Sequence, residues 1–248
     1  MDSTQETPPA PVHATHAPLD PIRAMTDGWN TFKANLWTCI GVTLVLMAIF
    51  VVGQLIPFVN VLFLLLVAPA VAAGGAGYFL RGSRGERASF ESAFEGFQRW
   101  ASATGALVIV SLVSMLILLP VLLAMFGAAG LAAIVERQPG ASPNFQPAGF
   151  GLLWLAMLVI YPLMLWWSLR SAMTIFVLME PERPGAIESI RRSFALTAGR
   201  FWRIVGFTLL TVPVMLIGVL ALCVGVIPAA TVTYYGWAHL YRQLRERT

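Results

Sequence analysis

The sequence predicts an all-α polytopic membrane protein of about six transmembrane helices. It reads as three units, each an interfacial amphipathic helix followed by a two-span hairpin. Three observations carry this: long uncharged apolar runs, an amphipathic segment at the start of each unit, and basic residues gathered on one side.

The 248 residues are 58% hydrophobic and only 11% charged, with a mean hydropathy of +0.75. Soluble domains run at about half apolar and about a quarter charged. Ala34 to Leu80 is 47 residues without Asp, Glu, Lys or Arg; Trp100 to Val135 is 36, Gln138 to Leu169 is 32 and Ile204 to Tyr241 is 38. A span needs about 20 apolar residues, so each run holds one or two.

The first 20 residues are rich in Pro, Ala and Thr, lack the apolar core of a signal peptide, and read as a disordered cytoplasmic tail. His13 and His16 in that tail are weak evidence for a metal. Residues 21–248 read as one membrane domain. Asp20-Pro21 is an N-cap followed by the residue best suited to the first helical position. Ile22, Met25, Trp29, Phe32 and Leu36 then recur at spacings of 3 and 4, one face of an interfacial helix over 21–36. Arg23 and Asp27 make an i,i+4 pair on its other face. Trp37 marks the entry to lipid.

The 47-residue run would be about 70 Å long as one helix, against a hydrocarbon core of about 30 Å. It must fold back, and Pro57-Phe58-Val59-Asn60 is the turn signal. The spans fall near 38–56 and 61–80. Ala68, Ala72 and Ala76, with Ala70 and Gly74, give the second a small surface for close helix packing within the monomer or a homo-oligomer.

A second amphipathic helix covers 89–100, with Phe90, Phe94, Phe97 and Ala101 as its stripe, Ser89 as its cap and Glu95–Arg99 as an i,i+4 pair. Trp100 anchors it. A third span runs near 103–126, with Pro120 as a candidate kink. A turn-rich loop is expected over Gly127 to Gly149, and a fourth span near 150–170. The third amphipathic helix covers 185–200, striped by Ile187, Ile190, Phe194, Ala198 and Phe201, with Glu188–Arg192 at i,i+4 and Trp202 at lipid entry. The last run, 38 residues, reads as two short or tilted spans near 203–220 and 223–241, turning within Gly218 to Gly225.

These helices repeat. An offset of 165 carries Ile22 onto Ile187, Met25 onto Ile190, Trp29 onto Phe194, Leu36 onto Phe201 and Trp37 onto Trp202. An offset of 65 carries Met25, Trp29 and Phe32 onto Phe90, Phe94 and Phe97. Trp29, Trp37, Trp100, Phe194 and Trp202 are the expected interfacial anchors. Of the sixteen Lys and Arg, only Arg137 falls in a predicted outer loop, and Arg170 lies near a membrane boundary. The positive-inside rule makes the basic side cytoplasmic, with both termini there. The pI of about 9.5 is then mostly topology, and nucleic acid is not an expected partner.

Chemistry is sparse. No predicted span holds an Asp or Glu, which proton-coupled transport usually needs. There is no Walker A, HExxH or GxSxG motif. Cys39 and Cys223 stand alone in apolar runs, so neither a disulfide framework nor a metal is expected, and no cofactor. Ser111 and Ser114, one turn apart, read as helix-packing hydrogen-bond groups rather than nucleophiles. Arg170 is the one charge within the fourth apolar region, ten residues before Glu180. It reads as a snorkelling arginine, as a partner of Glu180 or a lipid phosphate, or as part of an anion path. Asp27, Glu91, Glu95 and Glu188 dilute the basic charge of the amphipathic helices, which favours docking at an anionic leaflet over a polybasic sensor.

AMTDGWNTFKANLW, SFESAFEGFQRW, LRSAMTIFVLMEPERPGAIESIRRSFALTAGRFWRI and the closing Pro228 and YRQLR resemble a loose group of bacterial integral membrane proteins. These are the YciC-type proteins and the glycerophosphoryl diester phosphodiesterase membrane-domain-like family. The resemblance covers about residues 20 to 245. It implies a six-span inner-membrane protein and not phosphodiesterase activity, because the catalytic barrel and its His-Arg and Glu-x-Asp signatures have no counterpart here. The expected role is a non-enzymatic membrane organiser, scaffold or partner subunit, with membrane lipids, a second copy or another membrane protein as partner. The competing expectation is a permease for a small or lipid-like substrate that uses Arg170. An intramembrane lipid enzyme ranks third.

Overall fold

The computed structural model describes residues 19–55, 57–86, 88–135, 146–221 and 225–246. The expectations for the tail with His13 and His16, and for Arg87, Arg137, Cys223 and Arg247, lie outside the described residues. Among the described residues there are helices and no strands.

In chain order the helices are α1 (Pro21–Ala34), α2 (Leu36–Leu55), α3 (Pro57–Leu66) and α4 (Ala68–Ser83), then a 3-10 helix (Phe90–Arg99), α5 (Trp100–Val135), α6 (Gln146–Ser171), α7 (Thr174–Leu178), α8 (Ala186–Thr197), α9 (Phe201–Leu220) and α10 (Val226–Arg245). Four helical stretches are long and apolar enough to cross a membrane: α2, the stretch ending at Leu123 in α5, Met157–Leu178, and α9. A fifth exists if α3 and α4, bent by 43° between them, count as one. α10 is not among them. Only 11–17% of the residues in these four apolar windows are buried inside the protein. Such outward apolar surface is what a bilayer solvates.

α4 is different. Gly74 meets the 3-10 helix so closely that a Cβ there would fall on the Ala93 carbonyl, and one at Gly96 would fall on that of Ala70. Small residues permit this backbone-to-backbone contact. Ala70 and Gly74 of the small surface are thus used inside the monomer, while Ala68, Ala72 and Ala76 line clefts between the helices. On its other sides α4 sends Tyr78, Phe79 and Leu80 into the main core with Cys39, Phe207, Tyr235 and Leu240.

The ends of α1 are built as the sequence implies. The Asp20 carboxylate accepts hydrogen bonds from Ile22 N at 3.0 Å and Arg23 N at 3.1 Å. The two sides of α1 are distinct. The buried residues are Ala24, Gly28 and Phe32, while Ile22 and Trp29 face outward. Gly28 touches α10, where a Cβ would sit 2.8 Å from Gly236 N. Thr31 adds a hydrogen bond to His239 at 3.0 Å. α8 repeats this facing. Its buried residues are Ser189, Ser193, Leu196 and Thr197, while Ile187 faces outward. The apolar stripes are thus divided: Ile22, Trp29 and Ile187 face outward, while Phe32 is buried and Met25, Leu36 and Phe201 pack against the core. Small residues beside them, Gly28, Ser189 and Ser193, are buried as well, and small residues let helices approach closely.

Two local expectations are corrected. Glu95 does not pair with Arg99. The segment winds as a 3-10 helix, and at three residues per turn positions i and i+4 no longer share a face; Glu95 binds Arg81 instead. The loop expected over Gly127 to Gly149 is shorter, because α5 continues to Val135 and α6 begins at Gln146. The Ala- and Leu-rich stretch after Gly127 is good helix former.

The helix pairings have a pattern. The 3-10 helix packs on α4, α8 on α5, α6 and α7, and α1 on α10. An offset of 165 carries the bounds of α2 onto those of α9, and the start of α1 onto the start of α8.

Candidate functional site

The strongest concentration of buried charge lies where α4, α7 and α10 end together. After α7 the chain turns through Glu180-Pro181-Glu182-Arg183-Pro184. Arg183 N donates to Glu180 O at 3.1 Å, and Arg183 holds a left-handed φ of 51°. The prolines prevent the helix from continuing. The turn presses the Glu180 side chain inward, and the residue is only 3% exposed.

Both of its oxygens are occupied. Oε1 accepts from Arg84 Nη2 at 3.0 Å and from Tyr241 OH at 3.0 Å. Oε2 accepts from Arg245 Nη1 at 2.7 Å. Arg84 follows α4, while Tyr241 and Arg245 are in the last turns of α10. Arg99 donates to Leu178 O, and to Glu180 O at 2.8 Å. Arg242 donates to Ser83 O. Guanidinium groups thus cap the carbonyl ends of α7 and α4, where a helix dipole favours positive charge. A buried carboxylate is tolerated only with such pairing.

Arg170 is not part of this hub. The expected Arg170–Glu180 pair does not form, because Arg84 and Arg245 already fill the carboxylate and α8 claims Arg170. Its Nη1 donates to Phe194 O at 3.2 Å, while Ser193 Oγ donates back to Arg170 O at 2.6 Å. Its guanidinium carbon lies 5.2 Å from the Trp166 ring centroid and 5.6 Å from that of Phe194. Phe194, an expected lipid anchor, sits half-buried in this cluster, 5.2 Å from Trp167. The other expected anchors, Trp29, Trp37, Trp100 and Trp202, are exposed, Trp37 at 84% and Trp202 at 80%.

A second polar thread lies inside the bundle. Cys39 Sγ is 3.2 Å from Tyr235 OH, Tyr78 OH donates to the same sulfur at 3.7 Å, and Thr43 and Thr231 hydroxyls meet at 2.8 Å. It joins α2, α4 and α10. Ser114 donates to Val110 O at 2.8 Å and accepts from Trp167 Nε1 at 3.1 Å. No group of three His, Cys, Asp or Glu side chains comes together among the described residues.

Apolar clefts open between the helices. One of about 490 Å³ lies among α1, α9 and α10. Two others, of about 540 Å³ among α2, α4, α7 and α10 and of about 300 Å³ among α3, α4, α5 and α7, share Phe50, Ala72 and Ile175. Arg170, Glu180, Tyr161 and Ser168 line none of them.

Sequence reading singled out Glu180 but missed its partners. One signal could have found them. Arg81-x-x-Arg84 and Arg242-x-x-Arg245 are the same pair of arginines at the ends of α4 and α10. The fold class is that of a helical protein with several membrane-compatible helices. No family model, curated protein or solved structure matches the chain.

Proposed function

We propose that this is a non-enzymatic integral protein of the bacterial inner membrane, of the YciC-type group that its sequence resembles. Its role is to organise the membrane or to serve as a partner subunit. Six spans form three units, with both termini and the arginine-rich end in the cytoplasm. The matching bounds of α2 and α9 support the repeat, as do the small buried residues at matching positions of α1 and α8. The packing of the 3-10 helix on α4, of α8 on α5, α6 and α7, and of α1 on α10 supports the same reading.

The observation that carries this reading is that the one carboxylate buried among the described residues has both oxygens filled by the protein itself. Glu180 is consumed by Arg84, Arg245 and Tyr241. A site for proton-coupled transport or hydrolysis needs a polar group left for its substrate. Native mass spectrometry from membranes is the test. Retained lipid or a protein partner supports the reading, and a retained small ligand overturns it.

A permease for a lipid-like substrate is the second reading. The breaks at Val67 and at Ala172-Met173 border the two clefts that share Phe50, and interrupted helices beside a cavity are a transporter feature. The clefts suit an acyl chain, and Arg170 lies outside them.

A further inference from the structure

We infer that the cleft among α1, α9 and α10 binds one acyl chain of an anionic phospholipid, with the headgroup phosphate at Lys33. The inference rests on the membrane reading above but not on the scaffold role.

The cleft exists because α9 and α10 meet through small residues. A Cβ at Gly218 would fall 2.7 Å from that of Ala229, and one at Gly225 would fall 2.7 Å from that of Ala221. The two helices are drawn together there with no large side chain to fill the groove beside the contact. α1 packs on α10 where Gly28 meets Gly236, and it supplies Met25, Thr26 and Trp29 to the wall. The space is about 490 Å³, within the ~300–1,000 Å³ of small-molecule sites. No charged residue lines it, and its lining follows α9 from Val214 to Ala221, about 10 Å at 1.5 Å per residue. The cleft opens outward, since Ile217 at its rim is 66% exposed and Trp29 is 48% exposed. An open apolar groove along a membrane-crossing helix is filled by the hydrocarbon around it. Charge says which lipid supplies the chain. Lys33 Nζ lies 5.8 Å from the Trp29 ring centroid. Among the described residues, no other ring that lines a cleft has a cation over it. Lys33 is exposed and makes no ion pair among the described residues. Asp27, the acid of α1, faces Arg23 instead. On an interfacial helix the apolar face lies at the acyl boundary while lysine reaches toward the headgroups. A chain in the cleft thus brings its own phosphate toward an ammonium that no carboxylate holds.

Photo-crosslinking tests this. The full chain in phosphatidylcholine vesicles receives a trace of phosphatidylglycerol, or of phosphatidylcholine, carrying a diazirine in its acyl chain. Labelled residues are mapped by mass spectrometry. The exposed face of α2 at Leu44, Val52 and Leu55 reports ordinary bilayer contact. With the phosphatidylglycerol probe, labelling of the cleft segments of α9 and α10 should exceed that of the α2 face several-fold. Lys33→Gln should lower it about five-fold, the attraction of one basic residue for anionic lipid, and should leave the phosphatidylcholine probe unchanged. Val214→Trp, at a half-buried position in the lining, fills the cleft and should bring its labelling down to the α2 level. Val212→Trp, on the exposed side of the same helix, should not. Should Val214→Trp fail to fold, unlabelled phosphatidylglycerol added to the vesicles decides, because it should reduce cleft labelling relative to that of α2. Cleft labelling no higher than that of α2 in the wild type, an unchanged signal in Lys33→Gln, or no relative loss on adding phosphatidylglycerol overturns the site. Labelling of neither surface overturns the membrane reading itself, and none of these results touches the scaffold role, which depends on partner retention.

Discussion

A carboxylate as buried as Glu180 persists in a folded protein when each oxygen has a partner, and here the partners come from helices 65 and 96 residues away. Replacing Glu180 with Ala leaves Arg84 and Arg245 facing each other without a counter-charge. Removing one member of a buried pair costs about 3–5 kcal/mol. The lower end, about 3 kcal/mol, is expected, because the side chain of Arg245 is 47% exposed and water screens it. Chemical unfolding in micelles measures this, with Arg23→Ala as the comparison. Its pair with Asp27 is exposed and long at 3.8 Å, and its loss should cost under about 0.5 kcal/mol. A charge cluster outside the core titrates instead. Hydrogen bonds from Arg192 hold the Glu182 and Glu188 carboxyls below the usual glutamate range and raise Arg192 itself. A depressed folded pKa gives stability that is present at neutral pH and is lost as pH falls through the depressed value. The Tm of the wild type should thus drop more steeply below about pH 4.5 than that of Glu182→Gln. Parallel curves would refute the link.

At the scale of elements, the closest contacts are made by what side chains lack. A Cβ at Gly74 or Gly96 would overlap a carbonyl of the facing helix, and backbone cannot step aside as a flexible side chain can. Gly74→Ala and Gly96→Ala should each cost about 3 kcal/mol, the upper end of overpacking. Gly41→Ala meets nothing within 4 Å and should be neutral or stabilising by up to about 1 kcal/mol. Denaturation midpoints of the three variants decide the matter. The helices themselves were legible in the sequence, since the Asp20-Pro21 cap and the spacing from Ile22 to Leu36 place α1 to within a residue or two. Facing was legible only in part. Periodicity finds the apolar stripe of a helix but not which of its members turn to protein, so Ile22 and Ile187 face outward while Phe32 of the same stripe as Ile22 is buried beside Gly28. Winding was hidden too: nothing in SFESAFEGFQRW announces a 3-10 helix, and the Glu95–Arg99 expectation failed with it.

At the scale of the molecule, the apolar belt and the arginine-rich end follow from composition, and the hub that joins α4, α7 and α10 does not. Sequence arguments reach residues four apart on one helix. They do not reach Arg84 and Glu180, which only the tertiary fold brings together. The repeated Arg-x-x-Arg at the ends of α4 and α10 is the trace this hub leaves in the chain. It gives the basic residues a second duty beside topology, since Arg99 and Arg242 cap helix ends where the sequence reads only a cytoplasmic label. The account stands on that end of the molecule lying on one side of the membrane after an even number of crossings. Single cysteines introduced at Ser142, Glu182 and Glu246, in a Cys39→Ser, Cys223→Ser background, test this with a membrane-impermeant maleimide on bacterial spheroplasts. The account predicts labelling of Ser142→Cys in intact spheroplasts, and of Glu182→Cys and Glu246→Cys only after permeabilisation. Labelling of Glu246→Cys from outside would contradict it, because α10 would then end on the opposite face from Glu182.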